Sequence, residues 1–362
     1  MARAAVLHNV GDKELDLRDD VTTIDPGPSQ VKVQIKATGV CHSDLSTMTG
    51  VLPAAIPTVL GHEGAGIVTE VGDHVTNVQV GDHVVINWSP DCGNCAECVR
   101  GEPYLCMTFI GEAFSVPRFK LADGSPAFGM AGVGTWAEEM VVPYQAVIKV
   151  AEDVPFEYAA LLGCGIPTGV GAAINTAKVK PGSKVAVVGA GGVGLSVIQG
   201  ARIAGASTIL AIDPNEAKHP IAKQFGATHT ATLDNLAETN GLLTMGAGFD
   251  YAFEVVGKSG PISTAWSVAR RGGEVIVVGA GAADDNWQMS AFSLLFEGKT
   301  LKSSLYGGCD LRRDIPLFVD LWRAGKLDLE SLISRRIKFE DLNGAVDALN
   351  NGDVIRQVVL FD

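Results

Sequence analysis

Residues 184–194, which read KVAVVGAGGVG, decide the fold of this chain. Residues 185–188 form a continuous apolar run, as expected of a strand buried on both faces. Apolar residues at positions 193, 197, 201 and 204 then fall on one face of a predicted helix. A glycine-rich turn between a strand and a helix is typical of a dinucleotide site, although the spacing alone is weak evidence.

The glycines of this turn have separate expected roles. The first permits a tight turn, the second lets the backbone approach a pyrophosphate, and the third lets the helix pack on the strand. The helix N-terminus also offers N–H groups and a partial positive charge to phosphate. The predicted phosphate-binding residues are Gly189, Gly191, Gly192 and Gly194.

Asp213 ends the next predicted strand, residues 208–213. A carboxylate at this place can accept hydrogen bonds from the adenosine ribose and would repel a 2′-phosphate, so the sequence favours NAD over NADP. The alternative interpretation is a glycine-rich turn followed by a surface acid.

The rest of the chain divides by its pattern. Apolar runs at 249–256 and 274–279, with helical segments between them, predict a parallel sheet covered on both faces. Residues 1–165 contain short strands with turns and few helical periods; residues 31–37 alternate apolar and polar side chains. After residue 305 the pattern is mixed, with a helix near 314–324 and a last strand at 357–361. The prediction is an α/β protein, in which a Rossmann doubly wound sheet (166–304) is inserted in a discontinuous β-rich domain (1–165 and 305–362).

Composition excludes several classes of partner. The chain has 362 residues, a net charge of −13 and a pI near 5.0, whereas nucleic acids and anionic membranes attract basic proteins. No apolar run reaches the length of a membrane span, and the first ten residues turn polar too early for a secretory signal. The expected location is the cytoplasm.

Four closely spaced cysteines predict a structural metal site. Their sulfurs can surround one tetrahedral Zn²⁺, which leaves no open position for a substrate. Disulfides or an iron–sulfur cluster are the alternatives; the missing signal argues against the first and the missing Cys-Pro ending against the second. The four residues are Cys92, Cys95, Cys98 and Cys106.

This spacing resembles the structural-zinc loop of the zinc-containing medium-chain alcohol dehydrogenases, and the resemblance extends over nearly the whole chain. It implies a GroES-like fold for the β-rich domain and a second, catalytic zinc. The implied ligands are Cys41, His62 in a Gly-His-Glu stretch, and Cys164. Three ligands leave one position for an alcohol oxygen, where zinc favours loss of hydride to a nicotinamide. Each residue alone would be weak evidence.

The same resemblance implies further roles. Ser43 would accept the alcohol proton, Asp44 would orient His62, and Glu63 would sit behind the metal as a transient ligand. Surface turns are the alternative for the two acids. The implied cofactor contacts are Lys218 at the ribose, His42 and Arg356 at the pyrophosphate, and Thr168, Val193 and Val278 at the nicotinamide.

Expectations for the substrate follow from the resemblance too. Trp88, Trp136, Leu52 and Leu305 would line the substrate channel, while Gly111 and Ala280 would widen it. Such walls favour apolar primary alcohols, including aromatic ones, over ethanol. Because the long loop 107–135 is kept in dimeric members of the family, a homodimer is expected.

Two positions depart from related enzymes. Ser46 replaces the histidine that ends the proton relay in liver-type members, so the last proton step is expected to go to water or another group. Ile110 replaces an arginine of the glutathione-dependent formaldehyde dehydrogenases, which makes a thiol adduct the second choice of substrate.

Two further readings of the function remain. One is a nicotinoprotein that keeps NAD(H) bound and returns hydride to an external acceptor, since residues 163–168 look like a stretch of such enzymes. The other is a non-catalytic, crystallin-like NAD-binding protein. The second reading predicts broken zinc ligands, whereas all three implied ligands are present.

Overall fold

A computed structural model describes residues 1–362, which fall into two compact units. The first unit comprises Met1–Gly165, Asp310–Trp322 and Leu329–Asp362; the second comprises Ile166–Cys309 and Arg323–Asp328. The chain therefore returns to the first unit at Asp310, not at the predicted residue 305, and a short later segment also belongs to the second unit. The difference arises because Gly307 packs on Pro167 and the Cys309 sulfur lies 3.5 Å from the Pro167 carbonyl.

The strands vary widely in length, from 2 to 11 residues. They are β1 (Ala2–Leu7), β2 (Asp16–Thr23), β3 (Gln30–Val40), β4 (Thr58–Val59), β5 (Gly64–Val71), β6 (His83–Ile86), β7 (Phe119–Lys120), β8 (Pro126–Gly129), β9 (Glu139–Pro143), β10 (Val147–Lys149), β11 (Lys184–Val188), β12 (Thr208–Ile212), β13 (His229–Ala231), β14 (Phe249–Glu254), β15 (Ala269–Val277), β16 (Thr300–Ser303), β17 (Ile333–Ile337) and β18 (Arg356–Leu360).

The α-helices are concentrated after residue 155. They are α1 (His42–Met48), α2 (Ala96–Val99), α3 (Phe156–Leu161), α4 (Gly165–Gly171), α5 (Gly192–Ile203), α6 (His219–Phe225), α7 (Leu236–Thr244), α8 (Ser259–Val268), α9 (Ala291–Glu297), α10 (Leu311–Arg323) and α11 (Leu342–Asn350). A π-helical turn follows α4 at Ala172–Thr176. Short 3₁₀ segments lie at Pro103–Leu105, Gly111–Phe114, Met130–Gly132, Tyr144–Ala146, Glu216–Lys218, Leu305–Gly308 and Phe339–Asp341.

The first unit contains two sheets. Strands β1, β2, β7, β8 and β4 form a closed sheet, and a seven-stranded sheet has the order β10-β6-β5-β3-β18-β17, with β9 also paired to β3. In β3 the predicted alternation is confirmed, because Val31, Val33 and Ile35 are all fully buried while the residues between them are half-buried. This strand ends at Val40, which places the next residue, Cys41, beside the sheet's core.

The second unit contains one parallel sheet of six strands, in the order β13-β12-β11-β14-β15-β16. Renumbered along this unit, the order is 3-2-1-4-5-6, which is the Rossmann arrangement, so the predicted fold class is confirmed. The buried run of β11 lies at the centre and leads into α5 through the glycine-rich turn. No helix combines the length and apolar character that crossing a membrane requires.

Candidate metal centres and cofactor site

The first unit brings together four potential metal ligands from three distant parts of the chain. Cys41 precedes α1, His62 and Glu63 precede β5, and Cys164 follows α3. All four are buried, and their ligand atoms lie within 4.8 Å of one another. The three predicted catalytic-zinc ligands therefore form one cluster with Glu63.

The orientation of His62 fits a metal site. Its Nδ1 lies 3.3 Å from Asp44 Oδ1, whereas its Nε2 is buried without a hydrogen-bond partner. An Nδ1–H that faces Asp44 leaves the Nε2 lone pair for a metal, and two thiolates complete a set that suits Zn²⁺. Asp44 is itself held in place, since it accepts the backbone N–H groups of Cys41 at 2.9 Å and Gly61 at 3.1 Å.

The electrostatics of the cluster favour a thiolate. A hydrogen bond from Cys164 and the positive charge of Arg356 hold the pKa of Cys41 well below its usual range. Burial lowers the pKa of His62, but Asp44 and Cys41 outweigh burial and raise it well above normal. Burial raises the pKa of Glu63 to about 7, although Arg356 opposes this shift. A divalent cation would be stabilised by this concentration of acidic groups.

Glu63 is held by two groups that sequence reasoning had not connected with it. Its Oε1 accepts the Gly165 N–H at 3.0 Å and lies 3.1 Å from Arg356 Nη1. A Cβ at Gly39 would overlap the Glu63 carboxylate, and one at Gly165 would overlap the Arg356 guanidinium. Both glycines are therefore needed for the ion pair. No local sequence signal could have identified them, because the pairing joins residues from opposite ends of the chain.

The four cysteines after β6 also form a cluster. Their sulfurs lie within 4.8 Å of one another, with Cys95 and Cys98 3.4 Å apart. The Cys92 and Cys95 N–H groups point to the sulfurs of Cys106 and Cys92, at 3.4 and 3.3 Å. The Thr108 hydroxyl and nearby backbone N–H groups lower the pKa of Cys92 to about 6. Four sulfurs with N–H donors around them fit a structural Zn²⁺.

A pocket of about 230 Å³ lies in the first unit close to His62. Six lining residues come from the chain before residue 90, namely Thr47, Leu52, Pro53, Ala54, Ala55 and Trp88. The other six come from residues 110–131, namely Ile110, Ala113, Phe114, Gly129, Met130 and Ala131. The ring of Trp88 connects the pocket to the metal cluster, because its centroid lies 6.5 Å from that of His62. No lining residue carries a charge, which suits an apolar ligand.

The residues expected to line the substrate channel occupy different places. Leu52 and Trp88 line this pocket, but the prediction for Trp136 is wrong. Trp136 is fully buried in the hydrophobic core, and its indole N–H donates to the Gly39 carbonyl at 2.9 Å. An aromatic residue with a polar edge is often placed in this way, with its ring in the core and its N–H on a backbone acceptor. Leu305 and Ala280 belong to the second unit, where their role stays a prediction.

In the second unit the glycine-rich turn has the shape that a dinucleotide needs. Gly189 has φ = 105°, and a Cβ at Gly194 would overlap the Gly189 carbonyl. A Cβ at Gly191 would meet no neighbouring atom within 4 Å, so this side of the turn is open to a ligand. Helix α5 begins at Gly192 and directs its first N–H groups to the same place.

Asp213 is nearly buried directly after β12. Its two carboxylate oxygens accept the N–H groups of Ala190 and Asn215, both at 2.9 Å, and Lys218 Nζ lies 3.6 Å away. The carboxylate is thus fixed to the glycine-rich turn itself, with lone pairs left for a ribose. These residues fit NAD.

The remaining predicted residues occupy several places. Ser43 is half-buried on α1, with its Oγ 3.9 Å from the Cys41 sulfur, and His42 is exposed at the start of the same helix. Thr168 on α4, Val193 on α5 and Val278 directly after β15 belong to the second unit. The proposed contacts of these five residues with substrate or cofactor stay predictions.

Comparison with known proteins agrees with this geometry. The family described as "Alcohol dehydrogenase GroES-like domain" matches residues 27–152, and "Zinc-binding dehydrogenase" matches residues 192–323. The S-(hydroxymethyl)glutathione dehydrogenase of Paracoccus denitrificans is 38% identical, with 99% of both chains covered. Alcohol dehydrogenase B of Mycobacterium tuberculosis is 36% identical, covering 95% of this chain and 94% of the relative.

Among solved structures, benzyl alcohol dehydrogenase from Acinetobacter calcoaceticus has a TM-score of 0.92 and 32% identity, covering 100% of this chain and 99% of that one. A zinc-binding alcohol dehydrogenase domain protein from Burkholderia ambifaria has a TM-score of 0.94 and 31% identity, with the same coverage. The chain belongs to the zinc-containing medium-chain alcohol dehydrogenase family. It is an NAD-dependent oxidoreductase with two zinc sites.

Proposed function

We propose that this enzyme oxidises primary alcohols with a bulky apolar or aromatic group to aldehydes, reversibly, with NAD as an exchangeable cofactor. The observation that carries the proposal is the uncharged pocket beside His62, with Trp88 in its wall. Its volume of about 230 Å³ exceeds what ethanol needs. Binding of an apolar ligand between apolar walls is favourable, because it removes apolar surface from water.

The residues of the first unit have distinct roles in the proposed reaction. Cys41, His62 and Cys164 hold zinc, and Asp44 keeps His62 in the tautomer that leaves Nε2 free for the metal. When bound, zinc supplies Lewis-acid activation of the alcohol and NAD supplies the hydride acceptor. Ser43, whose hydroxyl lies beside the Cys41 sulfur, accepts the alcohol proton and passes it on.

Residues of the second unit bind NAD in this proposal. The turn 189–194 and the start of α5 hold the pyrophosphate. Asp213 and Lys218 bind the adenosine ribose, and the carboxylate of Asp213 disfavours a 2′-phosphate. Thr168, Val193 and Val278 line the nicotinamide.

A thiol adduct of formaldehyde is the second candidate substrate. It is favoured by the 38% identity to the Paracoccus denitrificans enzyme, whose name specifies S-(hydroxymethyl)glutathione. Such a substrate carries carboxylates, which require cations in the binding site. The pocket instead has Ile110 and eleven other uncharged residues. We therefore rank the adduct second.

We also propose that the enzyme is a cytoplasmic homodimer. Strand β16 is an edge strand of the parallel sheet, and the neighbouring helix α9 exposes Phe292 at 71%, Leu295 at 74% and Phe296 at 56%. An apolar patch beside a free sheet edge is typical of a subunit interface. All seven cysteines are unpaired, which suits a reducing compartment. Sedimentation of the wild type and of Leu295→Glu tests the dimer, because the variant should sediment as a monomer.

The decisive experiment follows NADH absorbance at 340 nm with dialysed protein, added NAD⁺, and ethanol, hexanol, benzyl alcohol or S-(hydroxymethyl)glutathione. We expect the highest kcat/KM with benzyl alcohol or hexanol. Higher activity with the glutathione adduct would instead support the second candidate. Turnover without added NAD⁺, with an artificial electron acceptor, would indicate a nicotinoprotein.

A further inference from the structure

Arg118 is a buried cation that the proposed reaction does not use. It directly precedes β7 in the closed sheet, where its N–H donates to the Ala127 carbonyl at 3.0 Å. Only 2% of its side chain is exposed. A buried guanidinium is costly unless its charge and N–H groups have partners, so its position requires an explanation.

The guanidinium joins two separate segments of chain. Arg118 Nη2 donates to Glu112 Oε2 at 2.7 Å, and Arg118 Nε donates to the Gly132 carbonyl at 3.2 Å. Glu112 lies in the 3₁₀ segment Gly111–Phe114, and Gly132 ends the 3₁₀ segment Met130–Gly132. The two segments also touch directly, because a Cβ at Gly132 would lie 3.6 Å from that of Ala113.

These two touching segments together provide one continuous part of the pocket lining. Ala113 and Phe114 come from the first segment, and Met130 and Ala131 come from the second. The rest of the lining comes mainly from residues near α1 and from Trp88, and Arg118 makes no hydrogen bond to them. The guanidinium therefore lies behind one wall and does not belong to its lining.

The second segment has a strained backbone. Ala131 adopts φ = 52°, which is the left-handed region that side chains other than glycine rarely occupy. A residue in this region is destabilising on its own and persists only where neighbouring groups hold it. The hydrogen bond from Arg118 to the next residue, Gly132, is a contact of this kind.

We propose that Arg118 and Glu112 form a clamp that sets the width of the pocket and thereby the selectivity for large over small alcohols. Arg118 is a positioning residue, since it acts through the wall and not on substrate. The clamp matters for a bulky alcohol, whose far end contacts this wall, and little for ethanol, which does not reach it. The inference rests on the proposed function in one respect, namely that the alcohol occupies this pocket.

Two variants test the clamp without removing a buried cation. Glu112→Gln removes the charge of the more exposed partner, and Arg118→Lys keeps the charge but cannot donate to Glu112 and Gly132 together. For each variant we compare kcat/KM for the largest alcohol that the wild type oxidises with kcat/KM for ethanol. We expect the ratio of the first value to the second to fall about tenfold, because a small misplacement of the substrate is costly. The activity with ethanol and the content of two zincs should stay unchanged. Arg18→Lys is the matched control, because Arg18 pairs with Asp20 at 2.8 Å in the same closed sheet and does not line this pocket.

Hydrogen exchange gives a readout that does not depend on the substrate. In Glu112→Gln we expect faster amide exchange in residues 110–116 and 129–134 together, with unchanged exchange around the zinc ligands. An unchanged selectivity ratio, or unchanged exchange in either segment, would overturn the clamp. If the exchange and the ratio change as expected while the wild type prefers ethanol to benzyl alcohol, the clamp stands and the proposed preference for bulky alcohols fails.

Discussion

Arg356 Nη1 lies 3.1 Å from Glu63 Oε1, and both side chains are buried beside the catalytic cysteines and histidine. The last strand of the chain is thereby joined to the residue that follows the zinc ligand His62. Burial of either charge by itself would be unfavourable in this region of low dielectric, but each charge compensates the other. The pair makes the C-terminal strand part of the catalytic cluster.

Removing one member of this pair should destabilise the protein strongly. We expect Arg356→Leu to lower the free energy of unfolding by about 3–5 kcal/mol, because a buried carboxylate then lacks its partner. The double variant Arg356→Leu, Glu63→Leu should lose less free energy of unfolding than the two single variants lose in sum. Urea unfolding of the zinc-loaded protein measures this. The control is Arg336→Leu, whose pair with Glu157 is 38% exposed at the arginine, so a loss of about 0–1 kcal/mol is expected. Equal losses in the two arginine variants would contradict the prediction.

The two zinc sites should be separable by mutation. Cys164→Ser is expected to lower the zinc content from two ions per chain to one and to abolish alcohol oxidation while NAD still binds. Cys106→Ser should also retain one zinc, but with a lower melting temperature, since a structural zinc stabilises its loop. Metal analysis and NAD titration measure these effects. A Cys164→Ser protein that keeps two zincs and full activity would refute the assignment of this ligand.

The charge of Asp213 should control the choice of cofactor. Asp213→Asn keeps the size of the side chain and one of the two acceptors for the Ala190 and Asn215 N–H groups, but removes the repulsion of a 2′-phosphate. We expect the ratio of kcat/KM for NADP⁺ to that for NAD⁺ to rise about tenfold, which corresponds to about 1.4 kcal/mol. Glu216→Gln is the control, since this acid is exposed a few residues further on. The same ratio in both variants would argue against the role of Asp213.

Ser46 predicts the pH dependence of alcohol oxidation. This residue is half-buried on α1, less than one helical turn after Ser43. A serine hydroxyl does not act as a base near neutral pH. In the wild type we expect that residue 46 contributes no change of rate near pH 6.5, where a histidine would titrate. Ser46→His should introduce such a change. Rates measured between pH 5 and 10 compare the two proteins, and an unchanged profile in the variant would contradict the hypothesis.

Asp250 should contribute stability that is lost in acid. Burial raises the pKa of its carboxyl, but the Lys184 N–H at 2.8 Å and Arg270 Nε at 2.7 Å outweigh burial and lower it. Because the folded pKa lies below that of the unfolded chain, the contribution is present above about pH 4 and disappears as the pH falls through the folded value. The side chains of Asp250 and Arg270 are both partly exposed, so their pair is expected to contribute about 1 kcal/mol or less to the free energy of unfolding.

Thermal unfolding of Asp250→Asn and wild type between pH 2 and 7 tests the contribution of Asp250 to stability. The difference in stability should be largest near neutral pH and should shrink in acid. Asp25→Asn, at an exposed position, serves as the comparison. A difference between wild type and Asp250→Asn that grows as the pH falls would have the wrong sign.

Local patterns in the sequence were sufficient to predict the strands and helices of the second unit and the metal-binding loop with its four cysteines. The buried run of β11 and the glycines after it predict the parallel sheet, because both reflect short-range geometry of the backbone. Cys92, Cys95, Cys98 and Cys106 are close in the chain, so their spacing alone predicts one cluster. Cys41, His62 and Cys164 are distant, and only the family resemblance could bring them together before the structure was known.

The tertiary structure decided the contacts between residues that are remote in sequence. The pairing of Glu63 with Arg356, the burial of Trp136 in the core, and the clamp of Arg118 on two segments of one loop leave no periodic signal. Periodicity reports which face of an element is apolar, but not which buried polar group meets which partner. That choice depends on how the sheets pack, because a buried charge is stable only where the fold supplies its counterpart.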